Sequence, residues 1–451
     1  MRESTAPDVL RTRDYGRTWQ KIVNGFPQDE MVRVVREDPK QHCVESTIAP
    51  RTCSPLLYAG TDTGVYFSWD DGDHWQPLSL NLPPTPVTDL TVHGDDVAIS
   101  TFGRGLWILD DVSALRALSP GMTTYLFSPA DAVRVRWDNY QDTPYPPETP
   151  AGQNPPDGAI IDYYLKDAAT SELTLTIYDE KHNQVAQFSS TPQPFHLPPA
   201  NVPEYWFAPP PALTRAAGLN RFAWNLRYAP PAALPYGYFG NLLQYTEYTL
   251  ADHAVPGDTP RVQPQGPFVA PGNYTVELRY DGKGIVQPFI VKPDPRIHAS
   301  QADLVEQRDL ALEIVRGMKS SNDGYHQTAA LRRSLDDAQK ALTGAEAEKV
   351  KAAAEALARK IDAVEKGTRA APGFGPVNRD LARLIVSVES ADIRPADTVR
   401  VAVQQSCEAL DKSAAQWQQL NQQDVPALNA LLAGTKASAL PAVAETPSGC
   451  K

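Results

Sequence analysis

The amino-acid sequence predicts a multidomain fold that is mainly β in its first two thirds and mainly α in its last third. Two observations lead to this prediction. Only six of the 42 prolines follow residue 300, and seven of the eight tryptophans precede residue 225. Behind residue 300, apolar residues recur at every third or fourth position, as in amphipathic helices. We therefore divide the 451 residues into a front region (1–118), a middle region (119–298) and a helical region (299–451).

The front region contains a hairpin motif twice, with the pattern S/T-x-D-x-G-x-x-W. In each copy the Asp side chain can accept hydrogen bonds from N–H groups of the turn, and Gly supplies the positive φ of a tight hairpin. The Trp is expected to fold back and bury its ring under the loop. The first box consists of Thr12, Asp14, Gly16 and Trp19, and the second box of Ser68, Asp70, Gly72 and Trp75. The motif resembles the Asp-box (BNR) repeat of β-propellers, which is a folding device.

A second internal repeat extends this likeness. Residues 60–66 align with residues 100–107, so that Thr61 matches Thr101, with one inserted residue before the glycine. A separation of about 40 residues is typical of propeller blades. The front region therefore holds roughly two and a half partial β-propeller blades, whereas a closed propeller needs about four or more. We expect upstream propeller blades, from the same gene product or a separate chain, because the sequence opens midway through a blade.

The middle and helical regions have different periodicities. In residues 119–298, short alternating segments separated by turn dipeptides predict an immunoglobulin-like β-sandwich with Pro-rich insertions. In residues 299–451, several amphipathic stripes joined by short connections predict a C-terminal antiparallel helical bundle. Ser300 is expected to cap the first helix, with Asp303 in its first turn. Cys407 lies on one of the apolar stripes, which favours a structural role.

Composition excludes some classes of function. The formal net charge of −12 provides no basic surface for nucleic acid. No apolar run approaches the roughly 18 residues that a membrane span requires. The first eight residues lack the apolar core of a signal peptide, so we expect no signal peptide in this chain.

Of the four cysteines, Cys43 and Cys53 lie close together in the sequence, and Cys407 and Cys450 both lie in the helical region. Among the three possible pairings we favour Cys43 with Cys53 and Cys407 with Cys450. Such an even, clustered set indicates an oxidising compartment, and four unpaired thiols in a cytosolic chain are the alternative.

Taken in order, the three regions resemble one bacterial family of large secreted or periplasmic proteins with sortilin-like BNR propellers, often labelled glycosyl hydrolase. The resemblance covers nearly the whole chain and implies a periplasmic or extracellular location, with most of the propeller upstream. The loop with Cys43 and Cys53 departs from the family pattern, and so does His74, which replaces the usual Thr of the box. The matching segments are residues 13–19, 32–39, 58–71, 101–111, 154–159 and 271–276.

Glycosidases of the sialidase type need an arginine cluster, an Asp acid/base and a Glu–Tyr pair, which come from different blades. The best candidates here for lining a central pocket are Arg33, Arg36, Glu37 and Arg104. The alternative is that they form inter-blade salt bridges or a solvated strand edge. Residues 70–73 lack the alternating ligands of a calcium loop, so no metal and no cofactor is expected.

These observations lead to a first hypothesis, a non-catalytic recognition or scaffold segment that binds protein or glycan. The alternative is part of a glycoside hydrolase whose catalytic residues lie mostly upstream, and a third possibility is a truncated reading frame without independent function. Whether the chain belongs to an enzyme stays open at this level.

Overall fold

The computed structural model describes residues 5–41, 55–119, 121–136, 155–191, 210–234, 265–369, 371–443 and 447–450. Within these ranges the chain is a mixed β and α protein with several sheets followed by helices. The strands of the front region are β1 (Leu10–Arg11), β2 (Gln20–Lys21), β3 (Val32–Glu37), β4 (Leu57–Thr61), β5 (Val65–Ser68), β6 (Gln76–Pro77), β7 (Val87–His93), β8 (Asp96–Thr101) and β9 (Leu106–Leu109). The short helix α1 (Ser113–Ala117) follows.

The front strands form three antiparallel sheets in chain order. The first sheet is the pair β1–β2, the second is β3-β4-β5-β6 and the third is β7-β8-β9. A Cβ atom on Gly60 would lie 2.6 Å from Val87 Cγ1 and 2.8 Å from Val34 Cγ1, so glycine permits a close approach of the second and third sheets. Their shared core contains Leu56, Tyr58, Val65, Phe67, Val87, Leu90, Val97 and Ile99.

The middle region has two sheets that pack on one core. Its strands are β10 (Tyr125–Leu126), β11 (Ala132–Arg134), β12 (Ala159–Leu165), β13 (Thr174–Asp179), β14 (Gln184–Ser189), β15 (Gly218–Trp224), β16 (Gly272–Tyr280) and β17 (Lys283–Pro293). One sheet has the order β10-β12-β15 and the other β11-β17-β16-β13-β14, with β11 parallel to β17. Trp224 joins them, because its ring lies 6.1 Å from the rings of both Tyr274 and Phe289.

The helical region begins at the expected cap. The Ser300 hydroxyl accepts from the Asp303 amide, and the Asp303 carboxylate accepts from the Ser300 amide at 2.9 Å, which confirms the predicted start. The helices are α2 (Gln301–Ala341), α3 (Gly344–Lys366), α4 (Phe374–Val388), α5 (Asp397–Gln419) and α6 (Val425–Leu432), with a π-helical segment, Leu420–Asp424, between the last two. They share one apolar core, from Ala311 to Cys450. No helix in the described ranges combines the length and apolar character needed to cross a membrane.

Candidate functional site

The first box is closed by hydrogen bonds within its own turn. Thr12 Oγ1 accepts from the Gly16 amide at 2.8 Å. Asp14 accepts from the amide of Thr18 at 2.8 Å and from its hydroxyl at 2.7 Å. The Thr18 side chain and backbone thereby lower the pKa of Asp14. The carboxylate is thus engaged in holding the turn.

The second box repeats these contacts. Ser68 Oγ accepts from the Gly72 amide at 2.9 Å, and Asp70 accepts from the His74 amide at 2.8 Å. The His74 ring lies 2.7 Å from the other Asp70 oxygen, where the first box has a Thr hydroxyl. Burial would raise the pKa of Asp70, but the hydrogen bonds from His74 and Ser68 outweigh it and the pKa is lowered.

The two tryptophans of the boxes differ in burial. Trp75 is 3% exposed, as expected for a ring that folds back under a loop, whereas Trp19 is 59% exposed, so the expected burial of Trp19 is wrong. The physical reason is the cover above each ring. The segment from Ile22 to Phe26 lies on Trp75, since Trp75 Nε1 donates to the Ile22 carbonyl at 3.0 Å. Trp19 Nε1 donates to the Gly16 carbonyl of its own turn, at 3.2 Å, and no other segment among the described residues contacts it in this way.

The arginines proposed for a pocket on β3 are paired with carboxylates. Arg33 forms an ion pair with Asp62, in the turn between β4 and β5. Arg36 Nη2 lies 2.7 Å from Asp89 Oδ1 on β7, so this pair links the second and third sheets. Neither aspartate could be foreseen from the sequence, because their pairing depends on tertiary contacts.

The four pocket candidates do not form one cluster. Arg33 and Glu37 lie near opposite ends of β3, about 13 Å apart along the strand. Arg104 lies in the turn between β8 and β9, where its amide donates to Thr101 Oγ1 at 3.2 Å. Neither the Glu37 carboxylate nor the Arg104 guanidinium has a side-chain partner among the described residues. This arrangement is that of one ion pair within the second sheet and one between the second and third sheets, rather than a converging anion site.

A buried ionic cluster joins the middle and helical regions. Arg134 is 1% exposed and donates to Asp392 and Gln307, at 2.8 Å each. Burial lowers the pKa of Arg134, and the charge of Asp392 opposes that effect. Arg136 also pairs with Asp392, at 2.5 Å. Nothing in the sequence indicated these pairings, since Arg134 and Asp392 are 258 residues apart.

Phe268 lies at the centre of this cluster. Its ring is covered by the guanidinium groups of Arg134, Arg136 and Arg227, with Arg227 only 3.6 Å from the centroid. The Phe268 amide donates to Glu389 at 3.2 Å. Cation–π contact and ion pairing together hold the cations in an interior position. The cluster therefore fixes the two regions against each other.

The cysteines agree with the expectation where the structure describes them. Cys407 and Cys450 form a disulfide with Cα atoms 5.6 Å apart, which confirms this predicted pair. Cys43 and Cys53 lie outside the described residues. Within the described ranges, no group of three or more His, Cys, Asp or Glu side chains is placed to hold a metal ion.

The geometry thus consists of repeated turn-closing motifs, paired charges and an inter-region ionic cluster. Comparison with known protein families and with curated proteins finds no match for this chain.

Proposed function

We propose that the chain is a non-catalytic recognition or scaffold segment of an exported BNR-repeat propeller protein and that it binds protein or glycan. In this proposal the three front sheets belong to the last blades of the propeller, the middle region is an immunoglobulin-like sandwich and the helical region is an antiparallel bundle. The observation that carries the proposal is the equivalence of the two boxes. Both have the same hydroxyl-to-glycine and carboxylate-to-amide hydrogen bonds, 56 residues apart.

The central hairpin turns of the second and third sheets support a repeating unit. Thr61 Oγ1 donates to the Gly64 carbonyl at 3.0 Å, and Thr101 Oγ1 donates to the Gly105 carbonyl at 2.7 Å. The second and third sheets therefore close the same hairpin with the same side chain, as blades of one propeller would.

Exposed apolar residues support further blades. Leu106 and Ile108 alternate along β9 and are 84% and 62% exposed, and Phe102 in the preceding turn is 75% exposed. Such a contiguous apolar surface is typical of an interaction site. We assign it to contact with a further sheet, supplied by the upstream propeller blades.

The pairing of the arginines supports a non-catalytic role. A sialidase-type site needs free arginines that converge on an anionic sugar. Arg33 and Arg36 are instead neutralised by Asp62 and Asp89. The disulfide of the helical region is compatible with an exported protein.

The proposal is tested by assaying the chain, alone and co-expressed with the reading frame immediately upstream, for glycan binding on a microarray and for hydrolysis of fluorogenic glycosides. We expect saturable binding without turnover. Turnover that disappears in an Arg33→Ala/Arg36→Ala variant would favour the glycoside hydrolase alternative. The control is Lys340→Ala, a variant in the helical region whose side chain is 76% exposed.

A further inference from the structure

The cover of the second box has a defined chemistry. The Trp75 amide donates to the Asn24 carbonyl at 2.8 Å, and its indole N–H donates to the Ile22 carbonyl at 3.0 Å. The Phe26 ring stacks on Trp75, with centroids 5.0 Å apart and an interplanar angle of 29°. A short segment that turns at Asn24 and Gly25 thus satisfies both N–H groups of this Trp and covers its ring.

Glycine on both sides permits this close approach. Gly25 has a φ of +105°, and a Cβ atom there would clash with the Trp75 carbonyl oxygen. A Cβ atom on Gly72 of the box would clash with Ile22 Cδ1. The cover therefore requires an aliphatic residue, a glycine in the left-handed region and an aromatic residue, at the spacing of Ile22, Gly25 and Phe26.

The first box has the same internal geometry, but no cover of this kind is found over it in the part of the chain that the structure describes. Trp19 is 59% exposed against 3% for Trp75, and Tyr15 is 87% exposed against 7% for Asp71, which holds the equivalent position. Tyr15 and Asp71 share the left-handed conformation, with φ of 57° and 62°. The turns match, so the difference in exposure comes from what lies above them.

The ion pairs beside the second box show which charge its cover supplies. Arg11 on β1 lies 2.8 Å from Asp73 of the second box, and thus the preceding hairpin supplies the cation. In the first box Arg17 holds the position of Asp73, and its guanidinium has no partner among the described residues. The charge at this position of the box is therefore positive in the first box and negative in the second. A segment that covers the first box would need a carboxylate opposite Arg17.

We propose that Trp19, Tyr15 and Arg17 form a docking surface for the turn segment that follows the box hairpin of a preceding repeat. This segment carries an aliphatic residue, a glycine and an aromatic residue at the spacing of Ile22, Gly25 and Phe26. The strand before its hairpin carries an acidic side chain at the position of Arg11, where it would face Arg17. A second copy of the chain is a poor occupant, because its own segment is already used on its own Trp75. This inference rests on the proposed function and names one contact of the assembled propeller.

The test uses a synthetic peptide with the sequence of residues 20–31, added to the full chain labelled with 5-fluorotryptophan. Trp19 is assigned in the ¹⁹F NMR spectrum from a Trp19→Phe variant. We expect the Trp19 resonance to shift saturably at millimolar peptide and to lose its sensitivity to a soluble paramagnetic agent. Trp107 is the internal control, since its indole also donates within its own hairpin, to the Arg104 carbonyl at 2.9 Å, and its resonance should not move.

A peptide with the Gly25→Ala change should bind at least about tenfold more weakly, because an L side chain at positive φ is strained and the close approach is lost. An unshifted Trp19 resonance at millimolar peptide overturns the proposal. Equal peptide binding to a Trp19→Ala chain also overturns it, since the peptide would then displace the native segment at Trp75. Concentration-dependent protection of Trp19 without peptide would make a second copy the occupant, against the proposal.

The result is separable from the proposed function. Glycan or protein binding by the assembled protein does not depend on the peptide assay. If the peptide binds but the assembled protein binds neither glycan nor protein, the docking surface stands and the recognition role falls. If the assembled protein binds a ligand but the peptide does not bind, the recognition role stands and the docking surface falls.

Discussion

At the scale of single residues, Asp70 combines partial burial with three hydrogen bonds to its carboxylate, two from His74 and one from Ser68. Because its pKa is lowered in the folded state, Asp70 stabilises the fold above its ordinary pKa of 3.8 and loses that effect as the pH falls through its folded value. We expect Asp70→Asn to reduce the local stability of the second box by about 1–2 kcal/mol at neutral pH.

Hydrogen exchange of residues 68–75, corrected for intrinsic rates, measures this effect. The difference between Asp70→Asn and the unmodified chain should vanish below the folded pKa of Asp70. Asp29→Asn is the matched control, because this exposed carboxylate has no described partner. If the stability difference between Asp70→Asn and the unmodified chain stayed constant down to the lowest pH, the Asn side chain would destabilise the box through its shape rather than through its missing charge.

Two glycines with positive φ allow the cost of backbone strain to be measured apart from the cost of a steric clash. Gly94 has a φ of +63° with no atom within 4 Å of an added Cβ, whereas a Cβ on Gly25 would clash with Trp75. We expect Gly94→Ala to lower the free energy of unfolding by about 1 kcal/mol and Gly25→Ala to lower it by a further 1–3 kcal/mol or so. Urea denaturation of the front region measures both, and equal effects would contradict the tight cover of Trp75.

At the scale of elements, the helix caps offer a second matched pair. Ser300 caps α2 through its side chain, whereas Thr343 precedes α3 without a side-chain hydrogen bond. Ser300→Ala should therefore cost about 1 kcal/mol and Thr343→Ala close to nothing. Urea unfolding followed by circular dichroism of the helices provides the measurement. An equal loss in both variants would mean that intrinsic helix propensity, rather than capping, sets the helix start.

The disulfide acts on α5 and the C-terminal tail. Cys407 and Cys450 are 43 residues apart, and the chain-entropy model gives about 4 kcal/mol for closing such a loop. We expect a reductant to lower the thermal midpoint of the helical region. The Cys407→Ser/Cys450→Ser variant should have a lower thermal midpoint in that transition without reductant, and reductant should not lower it further. If reductant lowered the midpoint of the variant as much as that of the unmodified chain, the effect would come from other cysteines.

The sequence predicted those elements whose signals are local. The boxes, the cap at Ser300 and the apolar stripes all depend on spacings of a few residues, and the chain forms the corresponding turns and helices. The apolar stripes at residues 304–318 and 331–342, expected on separate helices, lie on the single helix α2 and its C-cap. Gly324 between them leaves room for the Phe374 ring, because a Cβ atom there would lie 2.6 Å from that ring. The exposure of Trp19 and the pairing of Arg33 could not be predicted, since both depend on what other strands place nearby.

At the scale of the whole molecule, the cluster around Phe268 is a buried ionic link between the middle and helical regions, beside hydrogen bonds such as that from the Leu234 amide to Asn378 at 2.8 Å. Arg134 and Arg136 share Asp392, and both cations are largely withdrawn from water. Removing one partner of a buried ion pair leaves the other charge uncompensated and typically costs about 3–5 kcal/mol. Because the pair spans the two regions, this cost falls on their association as well as on each fold.

We therefore expect Asp392→Asn to lower the stability of the joined regions by an amount of that order, about 3–5 kcal/mol, and to divide their common thermal transition into two. Differential scanning calorimetry measures both effects. Asp337→Asn is the control, because its 3.2 Å pair with Lys340 is 75% exposed and such surface pairs contribute little, within about 0.5 kcal/mol. If Asp392→Asn kept a single transition at the unmodified midpoint, other contacts, such as apolar packing and the hydrogen bonds of Asn378, would hold the two regions together.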